Sequence, residues 1–336
     1  MKKYVNIVFT VIFMVVLSLP FLFAKHHSVL RDSYGKLNYN LFRVMERDDY
    51  YLGNNGNLNY LTADMLENYL HLNLPTQAEL ESQARNFQSV ANWLKIQNIQ
   101  FYYIQCYDKH SIYPEQVDKT LRPNGSISKT DAAIDYLQRN TTVNIICLKD
   151  ALLNAKEQYD VYSYWGDPTH WTDRGAYIGY SQIMTEINKQ NNGRFSILSE
   201  DAYNITHADV GITLNAVHVE DTQECFSIKT PTATQDDPTL LGQWKDDPYH
   251  SVWANPQVEN DTTVLLVADS YFDGFILDDM AESFSKIYFV RSDYVSDLTQ
   301  MVATFHPDIV MIGCTERTDC SSAISAVVNQ ISENQQ

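Results

Sequence analysis

From Tyr4 to Ala24 the chain is an apolar run without a charged residue, preceded by Lys2 and Lys3 and closed by Lys25, His26 and His27. About 20 apolar residues suffice to span a bilayer as a helix, and a basic flank ahead of such a run also opens a secretory signal. Residues 1–27 are therefore expected to be a membrane anchor or a signal sequence. Leu22-Phe23-Ala24 is a poor small-x-small cleavage site, so a retained single-pass anchor is the expectation and secretion after cleavage the alternative. Positive charge before the span predicts that the body of the chain lies outside the cytoplasm.

Beyond this run, residues 28–75 are polar and aromatic, with turn signals such as Asn55-Gly56, and are expected to be loop-rich. Gln77 to Gln97 then carries Leu80, Ala84, Phe87, Val90, Ala91 and Leu94 at helical spacing. Strands are expected at Ile99–Gln105, Val143–Leu148, Thr263–Ala268, Lys286–Val290 and Asp308–Gly313. Helices are expected at Asp131–Arg139, Lys149–Lys156, Thr172–Lys189, Asp273–Phe284 and Tyr294–Phe305, with a last one from about Asp319. Residues 190–262 break the rhythm with Asp-rich turns and short alternating stretches such as Gly211 to Val219; they read as an irregular insertion within one domain covering 28–336. Five strands alternating with helices imply βαβ crossovers and a mainly parallel sheet covered on both faces.

Acidic residues outnumber basic ones by 42 to 24, a formal charge of -18, which argues against a nucleic-acid partner. The five cysteines include no CxxC, and no Cys/His spacing resembles a zinc site. Cys106, Cys147 and Cys314 sit in apolar strand-like runs and are expected to be buried thiols, although Cys314 could instead pair with Cys320.

The candidate chemistry follows from two short segments. Ser270 directly follows the strand Val264-Leu265-Leu266-Val267-Ala268, and ligands in parallel sheets bind at the carboxyl ends of strands. A serine hydroxyl needs a base to take its proton, usually a His oriented by a carboxylate. Asp167-Pro168-Thr169-His170-Trp171 places both on one rigid turn, so Asp167 can orient the His170 ring. A helix after Ser270 would offer backbone N–H groups to an oxyanion. The bland alternatives are a helix cap for Asp269-Ser270 and a surface turn for Asp167 and His170. His71, His110, His207, His218, His250 and His306 are isolated in sequence and are expected to be structural.

Taken together, these segments resemble the SGNH-hydrolase-like domain of the alginate O-acetyltransferase family and the related DHHW proteins, in which an Asp–His–Trp block precedes the Asp-Ser block. Lys109 with Tyr113-Pro114-Glu115, Asp167 through Tyr177, Val267 to Phe272, and Pro307-Asp308-Ile309-Val310 with Glu316-Arg317 are similar to that family's blocks in their order. Two residues, Pro168 and Thr169, separate Asp167 from His170 where the family usually has one. Ala268 replaces a Gly, Tyr271 a Phe, and Tyr107-Asp108 the Pro before Lys109.

The resemblance implies a three-layer α/β/α, flavodoxin-like domain with permuted motif order. It implies Ser270, His170 and Asp167 as catalytic residues, acetyl as the group transferred, a cell-surface exopolysaccharide as acceptor, and neither cofactor nor metal. It is compatible with a membrane-bound acyl-donor protein as partner. Tyr271, Lys109 and Arg291 are candidates for oxyanion stabilisation or substrate binding, with ion pairing the alternative for the two cations. Arg317 is a further candidate, or else a salt-bridge partner of Glu316. An acetylesterase with the same residues and a non-catalytic envelope protein with the same fold remain as alternatives.

Overall fold

The computed structural model describes residues 28–42, 49–214, 216–274 and 276–333, together with Thr10, Phe13, Met14, Leu17 and Ser18. Among these no helix is long and apolar enough to cross a membrane; the Tyr4–Ala24 run, which carries the anchor expectation, lies almost entirely outside them.

The seven-stranded main sheet is built from β3 (Gln100–Cys106), β4 (Asn144–Cys147), β7 (Thr234–Gln235), β8 (Ser251–Ala254), β9 (Thr263–Ala268), β10 (Lys286–Arg291) and β11 (Ile309–Thr315), in the order β4-β3-β11-β9-β10-β8-β7. The five strands expected from sequence are the five parallel ones; β8 pairs antiparallel with β10, and β7 antiparallel with β8. The two antiparallel strands, β7 at one edge and β8 beside it, come from the segment read as an irregular insertion. That segment also forms β5 (Tyr203–Leu214) and β6 (Val217–Ile228), a twelve-residue-per-strand hairpin. Its outward residues are polar on both faces over much of its length, which hides a strand pattern from sequence.

Alternation along the parallel strands divides the core. Tyr102, Ile104, Leu266, Phe289 and Met311 face one layer, packed by Ala176, Tyr180, Ile183 and Ile187 of the helix Asp173–Gln190. Tyr103, Leu265, Val267, Val310 and Ile312 face the other, packed by the helices Gln77–Ile96, Lys129–Asn140, Leu298–Phe305 and Ser321–Glu333. Burial on both faces is why these strands read as nearly continuous apolar runs.

Three expectations are corrected. The leading segment is not simply loop: it holds the helix Ser28–Phe42, a short hairpin of β1 (Tyr50–Leu52) and β2 (Leu58–Tyr60), and the helix Ala63–Tyr69. The helix expected over 273–284 shrinks to Leu277–Ala281, because Gly274 has φ +72 and breaks the helical path after Ser270. Cys314 is not a thiol but is bridged to Cys320, tying the end of β11 to the start of the last helix; Cys106, Cys147 and Cys225 are free.

Candidate active site

Ser270 lies on the turn that leaves the carboxyl end of β9, flanked on both sides by parallel strands. The turn is braced by Asp269. One of its carboxylate oxygens accepts the Thr315 amide at 2.6 Å and the Thr315 hydroxyl at 2.8 Å, and the other accepts the Tyr271 amide at 3.0 Å. Phe272 packs so tightly over β11 that a Cβ on Gly313 would meet its ring at 2.4 Å, so only glycine fits there. The Tyr271 N–H is thus consumed, whereas the Ser270 amide has no acceptor among the described residues.

Ser270 Oγ is 2.9 Å from His170 Nε2, and His170 Nδ1 is 2.8 Å from Asp167 Oδ2. A carboxylate at Nδ1 calls for the proton there, leaving Nε2 as the acceptor for the serine hydroxyl. Asp167 is fixed in turn: its Oδ1 accepts the Thr169 amide at 2.7 Å, the Thr169 hydroxyl at 2.5 Å and the His170 amide at 3.3 Å. Burial raises the cost of its charge, but the bond to His170, the charge of that ring and the Thr169 donors outweigh it and hold the carboxyl below its ordinary range. The His170 ring leans on Tyr271, which also packs against the buried Trp171.

The segment leading into Asp167 hangs from a residue that sequence reasoning missed. Asp221, on β6, accepts the amides of Tyr164 at 2.6 Å, Trp165 at 3.0 Å and Gly166 at 2.9 Å, and the hydroxyl of Ser163 at 2.8 Å. Ser163 Oγ accepts the Asp167 amide at 3.0 Å. Farther along the hairpin, buried Arg174 grips Glu224 with Nε at 2.7 Å and Nη2 at 3.0 Å and also bonds Glu200, while Asp173 accepts the Phe226 amide at 3.0 Å. The hairpin therefore clamps both sides of the Asp167–Trp171 turn. The only sequence hint was the alternation in Gly211 to Val219.

The secondary candidates are placed differently. Lys109 is buried, and its Nζ donates to the carbonyls of Leu58 at 2.7 Å and Tyr164 at 3.5 Å, beneath the loop rather than in the cleft. Burial pushes its pKa down to about 7, against the pull of Asp221 and Asp167. The Tyr271 side chain is fully buried, with its hydroxyl toward Asp108 at 3.3 Å and Tyr162 at 3.4 Å, so its part is packing. Arg291 ends β10 in register with Ala268, lies over the Tyr249 ring, and has a buried Nε without a hydrogen-bond partner among the described residues. Arg317 does not pair with Glu316. Its Nη1 donates to Asp108 Oδ1 at 2.8 Å and to the Thr169 carbonyl at 2.9 Å, which ties the end of β11 to the His170 turn. Glu316 turns inward to the Asp108 amide at 2.8 Å and to Asn68 at 3.0 Å, and burial beside Asp108 pushes its carboxyl up to about 8.

Among the described residues Asp108, His110 and Glu316 bring one donor atom each within 4.8 Å of one another. Asp108 Oδ2 and both His110 ring nitrogens are buried without a partner there. These donor types suit a divalent cation. His110 looked isolated in sequence because Glu316 joins it only through the fold.

A parallel sheet with a serine at a strand end, hydrogen-bonded to an imidazole that is itself held by a carboxylate, is an arrangement shared by several classes of serine hydrolase and acyltransferase. Residues 65–243 match the family model described as the SGNH hydrolase-like domain of the acetyltransferase AlgX, more than half of the chain, and the protein belongs to that family. It is thus an enzyme of the SGNH type, an O-acetyltransferase or esterase. Among solved structures, Bacillus cereus PatB1 with a sulfonyl adduct is similar at TM-score 0.59 and 18% identity, covering 82% of this chain and 96% of that one. A DHHW family protein from Eubacterium siraeum is similar at TM-score 0.53 and 12% identity, covering 84% and 96%. The O-acetyltransferase domain of Pseudomonas putida AlgJ is similar at TM-score 0.52 and 15% identity, covering 84% and 100%. At these identities the likeness is one of fold. No curated protein matches the sequence.

Proposed function

We propose that this protein is an extracytoplasmic, membrane-anchored serine O-acetyltransferase that transfers acetyl to a sugar hydroxyl of a cell-surface polysaccharide. The observation that carries the proposal is the continuous hydrogen-bonded chain from Ser270 Oγ through His170 to Asp167, at 2.9 and 2.8 Å. In the first half-reaction Ser270 Oγ attacks the carbonyl carbon of an acetyl ester while its proton passes to His170 Nε2. The Ser270 amide, without an acceptor among the described residues, is left to donate to the oxyanion. Collapse expels the donor's alkoxide, which takes the proton from His170, and leaves an acetyl ester on Ser270. A sugar hydroxyl then gives its proton to His170 Nε2 and attacks that ester, and Ser270 is regenerated. Asp167 holds the ring and stabilises the imidazolium in both halves.

The family and the AlgJ likeness support acetyl as the group and polysaccharide as the acceptor. The Cys314–Cys320 bridge supports an oxidising location outside the cytoplasm, as does the apolar run Tyr4–Ala24 behind two lysines. The test is product analysis with 4-nitrophenyl acetate, with and without oligosaccharide. Acetylated oligosaccharide is expected from the wild type and none from Ser270→Ala. Acetate alone, even at high oligosaccharide concentration, would make the protein an esterase.

A further inference from the structure

The carboxyl ends of β3 and β11 lie side by side, with Cys106 opposite Thr315, and the residues that follow the two strands converge. Asp108 and His110 follow β3, Glu316 follows β11, and one donor atom of each lies within 4.8 Å of the other two. Asp108 is 1% exposed and His110 2%, so both are shut away from water.

Buried polar atoms are nearly always hydrogen-bonded, and an exception calls for a physical reason. Asp108 Oδ2 and both ring nitrogens of His110 are such exceptions among the described residues. The rest of the cluster is held in place. Asp108 Oδ1 accepts Arg317 Nη1 at 2.8 Å and the Tyr271 hydroxyl at 3.3 Å. Glu316 Oε1 accepts the Asp108 amide at 2.8 Å and Oε2 the Asn68 side-chain amide at 3.0 Å, and each oxygen keeps a further lone pair. The His110 ring stands edge-on to Tyr69, with centroids 5.7 Å apart. Metal ligands are oriented by neighbours in this way.

Charge points in the same direction. Arg317 acts on both Asp108 and the buried Asp269, while nearby Lys149 is bonded to Asp131 at 2.6 Å. Ionised together, Asp108, Glu316 and Asp269 face one guanidinium, and a divalent cation supplies the missing balance. Magnesium and calcium take oxygen ligands, whereas an imidazole with two carboxylates suits a transition metal, and zinc outranks manganese in affinity.

We propose that Asp108, His110 and Glu316 form a structural zinc site with one further coordination position. Tetrahedral zinc holds its ligands about 3.4 Å apart, so shifts of about an ångström, within reach of the half-buried Glu316 side chain, complete the site. The ion fixes Asp108, whose other oxygen anchors Arg317, and Arg317 donates to the Thr169 carbonyl at 2.9 Å beside His170. The site braces the His170 turn whatever acceptor the enzyme uses.

The test is calorimetric titration of zinc, calcium and magnesium into untagged, chelator-stripped full chain, with thermal melts alongside. One zinc per chain is expected in the wild type, with a raised melting temperature and no response to calcium or magnesium. His110→Ala and Glu316→Gln are each expected to weaken zinc binding at least about a hundredfold, beyond the loss from an outer partner. Glu316→Gln keeps the side chain's size and an acceptor for the Asp108 amide, and its melt beside stripped wild type controls for folding. Zinc binding that is unchanged in both variants would put the ion elsewhere, as at His26-His27, and overturn the site. No zinc bound by the folded wild type, or calcium bound in its place, would overturn it equally.

Discussion

Ser163 donates its hydroxyl to Asp221 at 2.8 Å and, through the same oxygen, accepts the amide of Asp167 at 3.0 Å. A carboxylate on a distant hairpin thereby fixes the backbone from which the carboxylate beside His170 projects. Three loop amides, of Tyr164, Trp165 and Gly166, also end on Asp221, and the Gly166 amide is shared with Ser163 Oγ.

Asp221→Ala should therefore leave buried donors unpaired and cost about 1–3 kcal/mol of stability. Displacement of the Asp167–His170 turn by a fraction of an ångström should lower kcat by at least about tenfold. Urea denaturation alongside steady-state rates checks both; a stability loss with unchanged kcat would mean that the clamp does not position the site.

On the opposite side of the cleft, Asp269 joins the Ser270 turn to Thr315 on β11 through two hydrogen bonds and closes the turn on Tyr271. Asp269→Ala should destabilise the fold by about 3 kcal/mol, since buried donors of charge-assisted bonds lose their acceptor. It should also abolish most activity, because Ser270 is no longer aimed at His170. Asp269→Asn, which keeps the shape and one acceptor, should recover part of both. A thermal melt and a rate for each variant decide it.

The bridge between Cys314 and Cys320 encloses Thr315 and Arg317, the residues that hold Asp269 and the Thr169 carbonyl. Reduction, or the double substitution Cys314→Ala with Cys320→Ala, should cost about 2 kcal/mol, the loop-closure value for so short a loop. Activity should fall with it. Unchanged melting under reducing conditions would show that the bridge does not form in the folded protein.

Asp279 gives a pH prediction. Burial, with Asp278 and other carboxyls near it, pushes its pKa up to about 7 even though Tyr203 works against this. The folded state thus holds a proton that the unfolded chain releases near its ordinary value. The resulting stability is fully present below about 4 and is lost as pH rises through about 7. Asp279→Asn should remove this dependence, so the variant gains on the wild type between pH 5 and pH 8. Denaturation midpoints at the two pH values that move in parallel for both proteins would count against the assignment.

What sequence could and could not reveal follows from where each signal resides. The five parallel strands were legible because burial on both faces writes an apolar run into each. Ser270, His170 and Asp167 were legible because each lies in a short local pattern, and the structure brings them within hydrogen-bonding distance despite the extra residue between Asp167 and His170. Asp221, Arg174 and Glu224 were not legible, since their role appears only when the hairpin folds back over the turn. The place of Lys109 was not legible either: read as a candidate for oxyanion or substrate binding, or else for an ion pair, it is buried with its Nζ on the backbone carbonyls of Leu58 and Tyr164.

The most direct measurement is intact-protein mass spectrometry after brief exposure to 4-nitrophenyl acetate, with peptide mapping of the label. One acetyl group on Ser270 is expected in the wild type, accumulating when His170 is replaced by a residue that slows deacylation more than acylation, and absent in Ser270→Ala. Acetylation that persists in Ser270→Ala, or turnover of the ester that survives that substitution, would contradict Ser270 as the nucleophile.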